Sequence, residues 1–210
     1  YRRQRQMCIR DSSVFDAEDV RLPGFWSGEP IWNTAERQGL TANIFMWPGS
    51  EVPIDGRQAT VWTPYSSKPT YYERADWVID AMTRPEAEIP ELVMWYFEEP
   101  DATMHTYGPE SPQAVAQAEH IDSVLRYFFR EIRRSPVFER INFIVTADHE
   151  TGGLVVVDGD EHTGRVTGVY VSDDHTPAML PVFAYGPGAD KFCGTYMNTE
   201  IARRIKSLIK

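Results

Sequence analysis

Continuous apolar runs alternate with helical stripes along this chain. TANIFMW (41–47) is a mostly apolar run that stops at Pro48-Gly49 and predicts a buried strand. YYERADWVIDAM (71–82) has helical spacing, and ELVMWYF (91–97) predicts a second buried strand. Ser111-Pro112 then opens a helix with proline at the permitted first position. Along it Ala114, Ala118, Ile121, Leu125, Phe128, Phe129 and Ile132 recur at steps of three and four, which predicts one apolar face on a long helix ending near Ser135-Pro136. RINFIVTA (140–147) and LPVFAYGPG (180–188) predict a third and a fourth strand, and Asn198 is the expected cap of a closing helix through TEIARRIKSLIK. Such strands separated by helices predict an α/β fold with a mainly parallel sheet covered on both faces. In open sheets of this kind ligands bind outside the carboxyl ends of the strands, which locates the site before any motif is considered.

Those strand ends carry metal donors. Asp101 and His105 follow the second strand, Asp148 and His149 follow the third, and His175 precedes the fourth. Carboxylate oxygen and imidazole nitrogen are donors that zinc takes at about 2.0–2.2 Å, and five of them at neighbouring strand ends are enough to surround two ions. Alone, each element has a plain structural explanation: D-x-x-x-H reads as an acidic turn, and an isolated histidine as a surface residue. Their common placement favours metal. Asp and His sites overlap for several divalent ions, so donor type does not choose among metals.

Composition narrows the picture. With 42% hydrophobic and 12% aromatic residues in 210, the chain is a folded globular one. Its formal charge of −10 argues against a general nucleic-acid-binding role, which needs a basic face for phosphates, although bound cations reconcile acidity with phosphate chemistry. No apolar run has the length of a membrane span, and no N-terminal signal peptide is evident. Cys8 and Cys193 make no metal or redox motif. The opening YRRQRQMCIRDS is basic and aperiodic, and residues 1–13 are expected to be a tail foreign to the fold, with residues 14–210 forming the domain portion.

FWSGEPIWNTAERQG (25–39), MWPGSEVPIDG (46–56) and YFEEPDATMHTYGPES (96–111) resemble the nucleotide pyrophosphatase/phosphodiesterase family of the alkaline phosphatase superfamily. TADHETGG (146–153) and HTPAMLPVFAYGPGADKF (175–192) look more like bacterial alkaline phosphatases. The resemblance implies an alkaline phosphatase-like α/β/α sandwich, here incomplete, as the C-terminal portion of one domain. It implies two Zn²⁺ ions, one held by Asp101, His105 and His175, with Asp148 and His149 contributing to the other. Two metals about 3.5–4 Å apart clamp the attacking and leaving oxygens of an in-line displacement. In the family a threonine or serine attacks phosphorus, and water then releases the covalent intermediate.

Glu98 and Glu99 read as supporting groups rather than ligands, His162 in DGDEHTGR ranks below the strand-end donors, and His120 reads as a helix residue. Trp47 and Tyr65, with Glu51 nearby, match positions lining the family's nucleotide pocket; Trp47 serves equally well as the cap of a core strand. Aromatic faces stack on bases with about 1–3 kcal/mol each. Ser27 stands where vertebrate relatives have a lysine.

Two departures stand out. The family places its first metal aspartate and its nucleophile upstream of FWSGEPIW, where Ser12, Ser13 and Asp16 lack the strand-to-helix setting for either role. The chain is therefore expected to be a fragment without its nucleophile, inactive and poorly soluble when isolated. The interval from His149 to His175 is also shorter than in typical members, as in a compact variant or a chimera. The resemblance implies small phosphate esters, nucleotides among them, as substrates, and a periplasmic or secreted location. An alkaline phosphatase-like monoesterase and a noncatalytic metal-stabilised domain remain open beside the phosphodiesterase.

Overall fold

The computed structural model describes residue 26 and residues 28–209. The 1–13 tail, Ser12, Ser13, Asp16 and Ser27 lie outside the described residues.

Two compact units divide the chain, one reaching Phe97 and resuming at Asn198, the other spanning Glu98–Met197. In the first, helix α1 (Ile31–Arg37) leads into β1 (Ala42–Phe45), which pairs in parallel with β2 (Val61–Thr63) on one side. On its other side lies β3 (Leu92–Trp95), also parallel and in register from Ala42↔Leu92 to Phe45↔Trp95. The central strand is buried at all four positions, as a parallel strand flanked by two others requires. Ile44, Ala42, Trp32, Ala35, Val52, Ile54 and Leu92 form the core around it. The chain leaves β1 through Pro48-Gly49. Gly49 has φ +85°, and a Cβ there would lie 2.9 Å from the Trp26 ring, so glycine is required by both backbone and space.

Helix α2 (Tyr71–Met82) has the bounds expected from its spacing. Thr70 caps it, its hydroxyl accepting from the Glu73 amide at 3.2 Å while the Glu73 carboxylate accepts from the Thr70 amide at 2.7 Å. Its buried face includes Ala75, Val78, Ile79 and Arg74, whose guanidinium donates to the Pro69 and Ser66 carbonyls. From the C-terminal segment, Ile205 and Ile209 pack against the core of this unit.

The second unit opens with α3 (Asp101–Tyr107) and α4 (Pro112–Glu131), the latter capped by the Ser111 hydroxyl accepting from Ala114 N at 3.1 Å. The apolar stripe of α4 is rotated from the expected one: Ala118 is exposed, and Val124, absent from the expected set, is fully buried with Phe128, Ile132 and Ala114. β4 (Phe143–Val145) pairs antiparallel with β9 (Phe183–Tyr185). The expected third and fourth strands thus exist, shorter than their apolar runs, and pair with each other; among the described residues the parallel ladder is β2-β1-β3. Phe128, Phe129, Phe138 and Tyr185 surround Phe143, with ring centroids 5.1–6.1 Å from it.

Between β4 and β9 run four more strands: β5 (Glu150–Thr151), β6 (Val155–Asp160), β7 (Arg165–Val169) and β8 (His175–Thr176). β6 and β7 form a hairpin and β5 pairs antiparallel with β8. After this unit comes α5 (Thr199–Lys206). Asn198 holds its cap position with helical φ and ψ and no side-chain bond, so it does not cap in the expected manner.

Candidate metal centre

Asp101 and His105 were expected in a loop; they lie on α3. Four residues apart on a helix, they share one face. Glu99 supports the start of this helix by accepting from the Thr103 amide at 3.0 Å. Gly108, with φ +89°, ends it, its amide donating to the Met104 carbonyl at 2.8 Å.

The third donor comes from β8. His175 Nε2 lies 2.8 Å from His105 Nε2 and 3.2 Å from Asp101 Oδ1, and His105 Nε2 lies 3.4 Å from the same oxygen. Asp101, His105 and His175 form a group whose ligand atoms all lie within 4.8 Å of one another, the one such group of three or more His, Cys, Asp or Glu among the described residues. The side chain of His175 is 14% exposed, whereas those of Asp101 and His105 are 36% and 39% exposed, so the cluster is reachable from solvent chiefly through Asp101 and His105. One carboxylate and two imidazoles are a zinc donor set, and three protein ligands leave a position open for substrate as catalytic sites do. The donors present fit the metal.

Asp148 and His149 follow β4. The His149 ring stacks on His175, centroids 3.5 Å apart at 24°. Its Nε2 is 3.5 Å from Asp148 Oδ2, and its buried Nδ1 has no hydrogen-bond partner among the described residues. A buried, unpaired imidazole nitrogen is costly unless something binds it. Asp148 is exposed and lies outside the group of three. His162, at the turn of the β6–β7 hairpin, and His120, on α4, are exposed and also lie outside it.

Two neighbouring residues were missed. The Thr151 hydroxyl donates to Asp101 Oδ1 at 2.5 Å. Glu150 accepts from the Gly153 and Leu154 amides at 3.0 and 3.1 Å and from the Thr176 hydroxyl. Burial works to raise the Glu150 carboxyl, but the Thr176 hydroxyl, the two amides and the nearby His149 imidazole together hold it below its ordinary 4.5. The signal available was adjacency alone: both follow directly on Asp148-His149.

The expected substrate residues sit in the first unit, at the carboxyl edge of the parallel ladder. Trp47 and Glu51 are half-buried in the turn after β1, with Trp47 meeting Tyr96 edge-on at 6.4 Å. Tyr65 follows β2 and is exposed. Trp47 also packs against the core, so capping a strand and facing outward are compatible roles.

The sequence profile of the family described as type I phosphodiesterase/nucleotide pyrophosphatase matches residues 3–183. Venom phosphodiesterase 2 of Crotalus adamanteus is 36% identical over 151 residues, 67% of this chain and 19% of that protein. Ectonucleotide pyrophosphatase/phosphodiesterase family member 3 of Bos taurus is 34% identical over 127 residues, 60% of this chain and 14% of that protein. The chain thus spans less than a fifth of the length of these curated relatives. Among solved structures, an inactive variant of murine ectonucleotide pyrophosphatase/phosphodiesterase 5, in complex with AMP, superposes with a TM-score of 0.56 at 26% identity, covering 72% of this chain and 43% of that one. The human counterpart gives 0.53 at 28% identity, covering 64% of this chain and 40% of that one. The fold is α/β, as the strand and helix pattern anticipates, and alkaline phosphatase-like, as the family resemblance implies.

Proposed function

The chain belongs to the type I phosphodiesterase/nucleotide pyrophosphatase family, and from that premise we propose that the protein is a zinc-dependent hydrolase of phosphodiester or pyrophosphate bonds in small phosphate esters. The observation that carries the reading is the convergence of Asp101 Oδ1, His105 Nε2 and His175 Nε2 on one point. These three hold one ion. Asp148 and His149 contribute to a second, a role supported by the unpaired Nδ1 of His149. Zinc, when bound, supplies the positive charge that stabilises negative charge building on phosphoryl oxygens.

Nucleotides are the substrate class best supported. Trp47 and Tyr65 offer aromatic faces at the edge where α/β sheets take ligands, Glu51 stands beside them, and the murine relative binds AMP. The relatives are named for venom and for the cell exterior, which supports a secreted or periplasmic setting. No described helix is long and apolar enough to cross a membrane.

The test compares hydrolysis of a bis-aryl and a mono-aryl phosphate by the full-length protein. The diester should be cleaved faster, and His105→Ala and Asp148→Asn should each lower that rate about a hundredfold or more. Full rates in both variants would remove the two-metal mechanism. A much faster monoester reaction would instead favour an alkaline phosphatase-like monoesterase, and bound zinc without turnover of any phosphate ester would make this a noncatalytic metal-stabilised domain.

A further inference from the structure

The ladder of β5 and β8 is only two residues long on each strand, with Glu150 opposite Thr176 and Thr151 opposite His175. Residues directly opposite one another in an antiparallel pair share a face, and consecutive residues point to opposite faces. Thr151 and His175 therefore project together, and both reach the same atom: Thr151 Oγ1 is 2.5 Å and His175 Nε2 3.2 Å from Asp101 Oδ1. On the other face Thr176 donates to Glu150, which also gathers the Gly153 and Leu154 amides. One face aims donors while the other locks the ladder. Immediately beyond Thr151 the backbone turns at Gly152, with φ +99°, where a Cβ would lie 2.5 Å from the Tyr170 ring. The Gly152 amide donates to the Asp174 carbonyl at 3.0 Å, tying the turn to the residue before His175.

We propose that Thr151 is a positioning residue for the zinc held by Asp101, His105 and His175. This deepens the metal-dependent reading above and rests on it. A carboxylate oxygen has two lone pairs. With one taken by the Thr151 hydroxyl, the other is turned toward the two imidazoles, and the carboxylate cannot rotate away without losing its bond. Partners of this kind to ligating carboxylates typically contribute about 10–100-fold to metal affinity. In this role Thr151 acts through Asp101.

Valine keeps the β-branched shape of threonine and its preference for extended backbone while deleting the donor. In the full-length protein, Thr151→Val should therefore weaken zinc binding about 10–100-fold, measured by competition with a chelating dye. Thr151→Ser should restore it, and the melting temperature of the metal-free Val variant should match that of wild type. Thr151→Ala reads the same affinity should the valine variant not fold. His105→Ala identifies which zinc is followed. If that zinc disappears in His105→Ala but binds Thr151→Val with wild-type affinity, the positioning role fails while the metal reading stands. A lowered metal-free melting temperature with unchanged zinc affinity would make Thr151 merely structural. A wild-type protein that binds no zinc would overturn both.

Discussion

In β1 every residue is buried, and in β6 and β7 every residue is exposed, although Val155, Val156 and Val157 are as apolar as Ile44. The difference lies in neighbours. β1 has a strand on either side and α1 beside it, whereas β6 pairs with β7. Apolar residues suit a strand in both places, but burial is conferred by what packs against it. The surroundings of β1 and of the candidate metal centre are accordingly held by different forces. The first rests on a core of aliphatic and aromatic side chains around β1. Around the candidate metal centre, the second relies on polar bridges such as Thr151 to Asp101 and Thr176 to Glu150.

The contrast breaks most simply at its two extremes. Ile44 is fully buried and Val156 is 63% exposed. Ile44→Ala should cost about 2–5 kcal/mol through lost transfer energy and the cavity left behind, whereas Val156→Ala should stay within about 0.5 kcal/mol. Denaturant unfolding of both variants measures this. Equal costs would mean that β6 is covered in the full-length protein and that the two regions are more alike than they look.

Metal should sharpen the contrast by acting on one region and sparing the other. A metal held by the ordered donors, free at ten times its dissociation constant, should stabilise the closed ladder by about 1.4 kcal/mol and slow its local opening about tenfold. Amide exchange around Thr151 and His175 should speed up by that factor on adding a chelator, while β1 amides keep their rates. A uniform response along the chain would show that the polar region has no separate dependence on the ion.

Legibility in the sequence follows the same division. The bounds of α2 were readable because its start carries its own chemistry, Thr70 with Glu73, and its face has helical period. The start of α4 was readable from Ser111-Pro112 for the same reason. α3 was hidden, because seven residues between Pro100 and Gly108 show no period and look like a turn. The β6–β7 hairpin was hidden too: its continuous valines do not alternate, and its turn lies in the polar DGDEHTGR. Antiparallel pairing of β4 with β9 could not be read, since partner choice is a long-range property that neither apolar run encodes. At the site, donor types and strand-end placement pointed to Asp101, His105, Asp148, His149 and His175, the family resemblance grouped Asp101, His105 and His175, and the fold brings those three together. Thr151 and Glu150 escaped because their roles depend on which residue lies opposite in a two-residue ladder, and no spacing rule reports that.

The smallest expected effect belongs to the first unit and tests whether any polar bridge matters there. Thr70→Ala should cost about 1 kcal/mol as a lost helix cap. The partner in that box is Glu73, whose carboxyl is held below its ordinary 4.5 chiefly by the Thr70 amide and next by the Thr70 hydroxyl. A carboxyl with a lowered folded-state value stabilises fully above its unfolded value and loses that contribution as pH falls through the folded one. Wild type should therefore exceed Glu73→Gln in melting temperature near neutrality, and the gap should close as pH drops below 4.5. Glu73 is fully exposed, so the gap should also shrink with added salt. A difference that persisted unchanged at pH 3 would mean that the carboxylate charge plays no part in the cap, and that the first unit depends on apolar burial even at its helix ends.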